Sequence, residues 1–138
     1  PARCKVKTRV IFVDDEESIH TIINLMFSDE VDNEELELMN FTDGDECLSY
    51  LQQNLKDQER TIIFSDINMP KMDGISLASE VTKFLPQLDF NFISAYVDFD
   101  EKLRQAGLQN LKLFTKPVEF DEIREHIYRF VGCSEQNV

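Results

Sequence analysis

Residues 10–15 read VIFVDD, four apolar side chains followed directly by two carboxylates. A continuous apolar run of this kind is typical of a strand that is buried on both faces of a parallel sheet. Residues 62–66 repeat the arrangement as IIFSD. The two stretches therefore predict two central strands, each with acidic residues at its carboxyl end.

The rest of the chain alternates between strand and helix patterns. Residues 36–41 mix apolar and polar side chains, which indicates a strand at the edge of a sheet, and two more strands are predicted at 90–95 and 111–114. Apolar residues recur at helical spacing in five segments: 19–27, 43–55, 74–85, 97–106 and 119–131. This alternation predicts a three-layer α/β sandwich with a five-stranded parallel sheet of order 2-1-3-4-5 and five helices.

Length and composition limit the domain organisation. The 138 residues suit one domain, which we assign to 9–131, with an N-terminal tail or linker at 1–8 and a polar C-terminal tail at 132–138. We interpret 29–35 as an acidic loop. A net charge of −13 argues against nucleic-acid binding, and no apolar run is long enough to cross a membrane. The three cysteines fit no metal or disulfide spacing, which predicts reduced thiols and a cytoplasmic location.

The chemically useful residues follow the predicted strands. Asp14 and Asp15 follow the first strand, Asp66 the third, Ser94 the fourth and Lys116 the fifth. Ligands of open parallel sheets bind beyond the carboxyl ends of the strands, where the strand order reverses. We therefore expect the three carboxylates to meet in one cleft, within reach of the serine and the lysine.

Three clustered carboxylates need compensating positive charge. Lys116 supplies one charge, and a hard divalent cation with oxygen ligands, such as Mg²⁺, would supply two more. A carboxylate nucleophile, a hydroxyl and compensating charge are what phosphoryl transfer requires. The pattern predicts a phosphoryl-accepting site at Asp66.

Four segments resemble a known family. Residues 13–16 (VDDE), 66–74 (DINMPKMDG), 94–96 (SAY) and 115–117 (TKP) are similar to the signature segments of response-regulator receiver domains. The resemblance covers about 9–131 and implies the flavodoxin-like form of the predicted sandwich. It also implies a role in two-component or phosphorelay signalling, in which the domain catalyses only its own phosphorylation and dephosphorylation.

The resemblance assigns roles to the acidic residues. Asp66 corresponds to the phosphoacceptor, which takes its phosphoryl group from a histidine kinase or a histidine phosphotransfer domain. Asp14 and Asp15 correspond to the pair that holds Mg²⁺, Asp15 directly and Asp14 through water. Asp66 and the backbone carbonyl of Asn68 would complete the metal site.

It also implies a switch. Ser94 corresponds to a hydroxyl that moves toward the phosphoryl group, and Lys116 to an ion-pairing lysine before a cis bond to Pro117. The signal would pass to the fourth helix, fifth strand and fifth helix, where an unidentified effector docks.

Two positions make this chain distinctive. Many members of the family carry an aromatic residue where this chain has Leu113, and the neighbouring Phe114 should face the opposite side of the strand. We therefore expect an altered coupling between Ser94 and the output face. Tyr96 is expected to flank the entrance for attacking water, opposite Asn68, and to slow dephosphorylation.

Other functions fit less well. A receiver-like interaction module that is never phosphorylated would not need the complete set of site residues. An aspartate-dependent phosphatase would carry an acid where Asn68 stands. A nucleotide-binding protein of flavodoxin type would have a glycine-rich loop after the first strand. His20 and His126 are interpreted as ordinary structural or surface residues, because a phosphodonor histidine would need a helical bundle of its own.

Overall fold

The computed structural model describes residues 8–57, 60–95 and 99–136. Five strands form one sheet of order β2-β1-β3-β4-β5 in which all neighbours are parallel. The strands are β1 (Thr8–Val13), β2 (Leu36–Phe41), β3 (Thr61–Asp66), β4 (Asp89–Ser94) and β5 (Lys112–Thr115). The predicted order and parallel direction are confirmed.

Six α-helices are present in the described residues, where the sequence predicted five. They are α1 (Glu17–Met26), α2 (Ser28–Asp32), α3 (Gly44–Gln53), α4 (Gly74–Phe84), α5 (Asp100–Gln105) and α6 (Phe120–Gln136). The added helix α2 lies in the segment interpreted as an acidic loop. It has a single apolar residue, Val31, so its sequence shows no helical periodicity that could predict it.

Several helix bounds differ from the predicted ones, most of all in α3, α5 and α6. α3 ends at Gln53, so Leu55 lies in a short 3₁₀ turn and is exposed. α6 continues to Gln136, although 132–138 was predicted to be a polar tail. The segment contains no proline, and one glycine costs a helix only about 1 kcal/mol. α5 begins at Asp100, and residues 97 and 98 of the helix predicted there lie outside the described residues.

Each face of the sheet carries its own apolar core. Helices α3, α4 and α5 cover one face, and their buried side chains meet those of Ile11, Val13, Ile63 and Phe92. Helices α1 and α6 cover the other face, over Val10, Phe12, Ile62, Phe64 and Phe114. Leu113 packs on the first face and Phe114 on the second, as strand alternation predicts.

The two central strands are the most deeply buried. Every residue of β3 is buried, and β1 has a single half-buried position, Arg9. β2 lies at an edge and is half-buried after Leu36, as its mixed pattern predicted. Within the described part of the chain, no helix is both long and apolar enough to cross a bilayer.

Candidate functional site

The carboxyl ends of β1 and β3 bring three carboxylates together. Oxygen atoms of Asp14, Asp15 and Asp66 all lie within 4.8 Å of one another. Asp14 and Asp66 are buried, whereas Asp15 is exposed. The cluster therefore has two fixed oxygen donors at its base and a third at its rim.

Lys116 supplies the positive charge of the site. Its Nζ donates to Oδ2 of Asp66 at 3.0 Å and to Oδ2 of Asp14 at 3.3 Å. Its backbone N–H donates to the carbonyl of Ser94 at 2.8 Å, which ties the end of β5 to the end of β4. The bond between Lys116 and Pro117 is cis, as predicted.

Burial sets the protonation behaviour of Asp66. It raises the pKa of the carboxyl, and the nearby charge of Asp14 raises it further. The ammonium of Lys116 and a hydrogen bond from the backbone of Asn68 lower this pKa but offset only part of the rise. Burial also lowers the pKa of Lys116, yet its bonds to the two aspartates outweigh burial and raise it overall. The lysine therefore stays charged, and the neighbouring carboxyl group of Asp66 binds its proton more tightly than an ordinary aspartic acid does.

Asp14 is fixed by its backbone and by its side chain. Its N–H donates to the carbonyl of Phe41 at 3.0 Å, and its Oδ1 accepts from the N–H of Glu16 at 2.9 Å. Its carbonyl oxygen accepts from Nε2 of His20 at 2.7 Å. The histidine was predicted to be an ordinary structural or surface residue, and this contact between α1 and the loop links it to the site.

Gly74 shapes the loop that follows Asp66. A Cβ atom at Gly74 would stand 2.2 Å from the backbone oxygen of Asp66 and 2.9 Å from Cα of Ile67. Only glycine allows this approach of α4 to β3. Asp73 caps α4, because its Oδ1 accepts from the N–H of Ser76 at 2.8 Å. The carboxyl end of β3 is thus held directly against the beginning of α4.

Two further predicted residues lie at or just after the carboxyl ends of β4 and β3. Ser94 is the last residue of β4, is 1% exposed and pairs in register with Thr115. Asn68 is exposed in the loop after β3. Tyr96 lies outside the described residues.

An apolar recess adjoins the site on the side of α1. A cavity of about 270 Å³ lies between α1 and the loop that leads to α6, and Asp14 and Lys116 form part of its wall. Its outer apolar lining includes Ile19, Ile22, Pro117 and Val118. Ile22 is 44% exposed, so apolar surface reaches solvent beside the acidic cluster.

The donor set fits a hard divalent cation. The cluster offers carboxylate oxygens and no sulfur or imidazole donor, which suits Mg²⁺ better than a softer metal. Lys116 alone leaves the three carboxylates with excess negative charge, which such a cation would balance.

Comparisons with known proteins agree with this architecture. The family model described as "Response regulator receiver domain" matches residues 10–128. Protein MrkE of Klebsiella pneumoniae is 32% identical over 135 residues, which cover 94% of this chain and 45% of that protein. Sporulation initiation phosphotransferase F of Bacillus subtilis is 23% identical, over 89% of this chain and 93% of that protein. The chain spans 33% of another relative, the cyclic di-GMP phosphodiesterase response regulator RpfG of Xanthomonas campestris.

Solved structures share the fold. The signal receiver domain of an HD domain-containing protein from Pseudomonas fluorescens has a TM-score of 0.78 at 16% identity, over 96% of this chain and 92% of that one. A response regulator receiver domain protein from Clostridium thermocellum has a TM-score of 0.75 at 18% identity, over 92% of this chain and 96% of that one. From the family match, which extends over most of its length, the chain is a member of the response regulator receiver domain family.

Proposed function

We propose that this receiver domain, over 9–131, accepts a phosphoryl group on Asp66 from a phosphohistidine donor. The observation that carries the proposal is the contact of Lys116 with both buried carboxylates, 3.0 Å from Asp66 and 3.3 Å from Asp14. This arrangement fixes one oxygen of Asp66 beside a positive charge. Asp66 can then act as a nucleophile from this fixed position.

The transfer needs no redox step and no further reactant. An oxygen of the Asp66 carboxylate attacks phosphorus, the phosphorus–nitrogen bond of the phosphohistidine breaks, and the electron pair returns to the imidazole nitrogen. Dephosphorylation follows when water attacks phosphorus and the carboxylate of Asp66 leaves. The protein's part in both steps is to orient groups and to balance charge.

Asp14, Asp15, Asp66 and the backbone carbonyl of Asn68 would hold Mg²⁺. When bound, the ion would neutralise charge on the transferring phosphoryl oxygens. Lys116 would keep its contact with the acceptor side, and the hydroxyl of Ser94 would donate to a phosphoryl oxygen from the end of β4.

The donor would be a histidine kinase or a histidine phosphotransfer domain. The apolar recess beside Asp14 and Lys116 supports this, because a helix that presents a phosphohistidine needs apolar surface next to the acceptor. A cytoplasmic location stays a prediction from the spacing of the cysteines.

The output would run through Ser94 to β5 and its neighbouring helices, and from there to an effector. Leu113 packs into the core beneath α3, α4 and α5, so it is placed to respond to movement on that face. If the methyl resonances of Leu113 were unchanged on phosphorylation, the coupling would have to use other residues.

Intact-mass spectrometry after incubation with acetyl phosphate tests the proposal. The wild-type chain should gain one phosphoryl group in the presence of Mg²⁺ and none when Mg²⁺ is chelated. Asp66→Asn should gain none. Asp43→Asn is a matched control, because asparagine caps α3 as well as aspartate does. A wild-type chain that binds Mg²⁺ but is never labelled would favour an interaction module without phosphorylation.

A further inference from the structure

His20 is a buried residue of α1 whose side chain reaches β2 and the loop that carries the acidic pair. The residue is 7% exposed, so its ring nitrogens need partners within the protein. Nε2 donates to the carbonyl oxygen of Asp14 at 2.7 Å, and Nδ1 lies 3.0 Å from Oδ1 of Asn40 in β2. The ring therefore links α1 to two other parts of the molecule.

The contact with Asp14 fixes more than one residue. The carbonyl of Asp14 shares a planar peptide group with the nitrogen of Asp15, so holding the oxygen holds the orientation of that whole group. The direction of the Asp15 side chain depends on this orientation. Asp15 is exposed and lies beyond the end of β1, so the position of its carboxylate depends on the conformation of the loop.

Asn40 lies against the other side of the ring. Asn40 Nδ2 donates to Oδ1 of Asn24 at 2.8 Å, and Asn24 lies one helical turn after His20 on α1. The imidazole is thus set between a backbone carbonyl and an amide that is itself fixed to the same helix. Both ring nitrogens face oxygen atoms, and a neutral imidazole donates from only one of them, so the bond from Nε2 to the Asp14 carbonyl is the contact that directs the ring at the loop.

We propose that His20 is a positioning residue for the metal site, which holds the β1–α1 loop so that Asp15 faces Asp14 and Asp66. The role rests on the proposed function, because it concerns the cation that assists phosphorylation. His20 touches neither the cation nor the phosphoryl group. Its loss should weaken Mg²⁺ binding and leave the nucleophile itself intact.

Calorimetric titration of Mg²⁺ into purified variants tests this role. His20→Phe keeps a ring but loses the donor, and should bind Mg²⁺ about tenfold more weakly, in line with other residues that support metal ligands. His20→Gln keeps an amide N–H in a similar place and should recover most of the affinity. His126→Phe is the matched control, since that histidine bonds to Asp89 and not to the loop.

The measurements separate this role from general stability and from the proposed function. Both phenylalanine variants can lower the melting temperature, but only His20→Phe should change Mg²⁺ affinity in the folded protein. A folded His20→Phe chain with wild-type affinity would overturn the proposal and leave the phosphorylation site standing. A wild-type chain that binds no Mg²⁺ would overturn both.

Discussion

Asp66 combines two demands that oppose each other. It must be buried beside Asp14 to be held in place, and burial raises the pKa of its carboxyl in spite of Lys116. Because this pKa is higher in the folded than in the unfolded chain, the ionised carboxylate costs stability at neutral pH. The cost begins to fall as the pH drops through the folded-state pKa and is gone below the pKa of the unfolded chain.

We therefore expect Asp66→Asn to be more stable than the wild-type chain at pH 7, by about 1 kcal/mol. The advantage should shrink on acidification, as the wild-type carboxyl becomes protonated. Urea unfolding across the acidic and neutral range measures both effects, and Asp43→Asn should stay within about 0.5 kcal/mol of wild type. A less stable Asp66→Asn at pH 7 would show that the bond from Lys116 outweighs the cost of burial.

Gly74 is required by space. The Cβ atom of an alanine would meet backbone atoms of Asp66 and Ile67, which cannot rotate away as a side chain can. We expect Gly74→Ala to lower the free energy of unfolding by about 1–3 kcal/mol, the usual cost of overpacking. Acetyl phosphate labelling should also slow, because the end of β3, which bears Asp66, must shift.

Gly44→Ala is the matched control for this change. Its new Cβ would lie 3.2 Å from the carbonyl oxygen of Met72 and 3.3 Å from that residue's flexible side chain. Chemical denaturation should show a smaller loss for Gly44→Ala than for Gly74→Ala. Equal losses would mean that β3 and α4 can separate more easily than their contact suggests.

At the scale of elements, α2 is held by one polar cluster. Glu30 accepts from Nε of Arg124 at 2.8 Å and from the hydroxyl of Tyr128 at 3.1 Å, which joins α2 to α6. Arg124 also donates to the carbonyl of Met26 and lies over the ring of Phe27. Burial raises the pKa of Glu30, but these hydrogen bonds outweigh burial and lower it overall.

Arg124→Met should remove about 1–3 kcal/mol of stability at pH 7, since a buried carboxylate loses its charged donor. The lowered pKa of Glu30 means that its stabilisation is present above the pKa of the unfolded chain and is lost as the pH falls through the folded value. The difference between variant and wild type should therefore narrow in acid. Urea unfolding at several pH values measures it.

Arg129→Met provides the comparison on the same helix. Arg129 lies 3.8 Å from Glu125, and both side chains are exposed. Exposed pairs contribute at most about 1 kcal/mol, so this variant should remain close to wild type. If Arg129→Met lost as much stability as Arg124→Met, the loss would come from a weaker α6 and not from the contact between Arg124 and Glu30.

These contacts explain which elements the sequence could predict. The strands follow from local apolar runs, so their order and the meeting of Asp14, Asp15 and Asp66 could be inferred in advance. α2 could not, because Glu30 is stabilised by Arg124, 94 positions away in the chain. The role of His20 could not be predicted either, because the residues around it in the sequence do not indicate its neighbours, a backbone carbonyl in the loop and an amide on β2.

At the scale of the whole molecule, the acidic cluster and the apolar recess open side by side. A small phosphodonor needs only the cluster, whereas a protein donor must also pack against the surface around it. Ile22 lies at the recess and is 44% exposed; Leu55, in the 3₁₀ turn, is 47% exposed and does not line the recess. Substituting each residue in turn therefore distinguishes an effect on docking of a protein donor from an effect on the phosphorylation reaction itself.

We expect Ile22→Gln to slow transfer from a phosphorylated histidine phosphotransfer domain that phosphorylates the wild-type chain, by about tenfold, or 1.4 kcal/mol. Labelling by acetyl phosphate should not change, because the substitution adds no charge near Asp66. Leu55→Gln removes a similar apolar surface elsewhere and should leave both reactions as they are. If Ile22→Gln slowed both reactions equally, the recess would act on the site itself; if it slowed neither, the donor would approach Asp66 from another side.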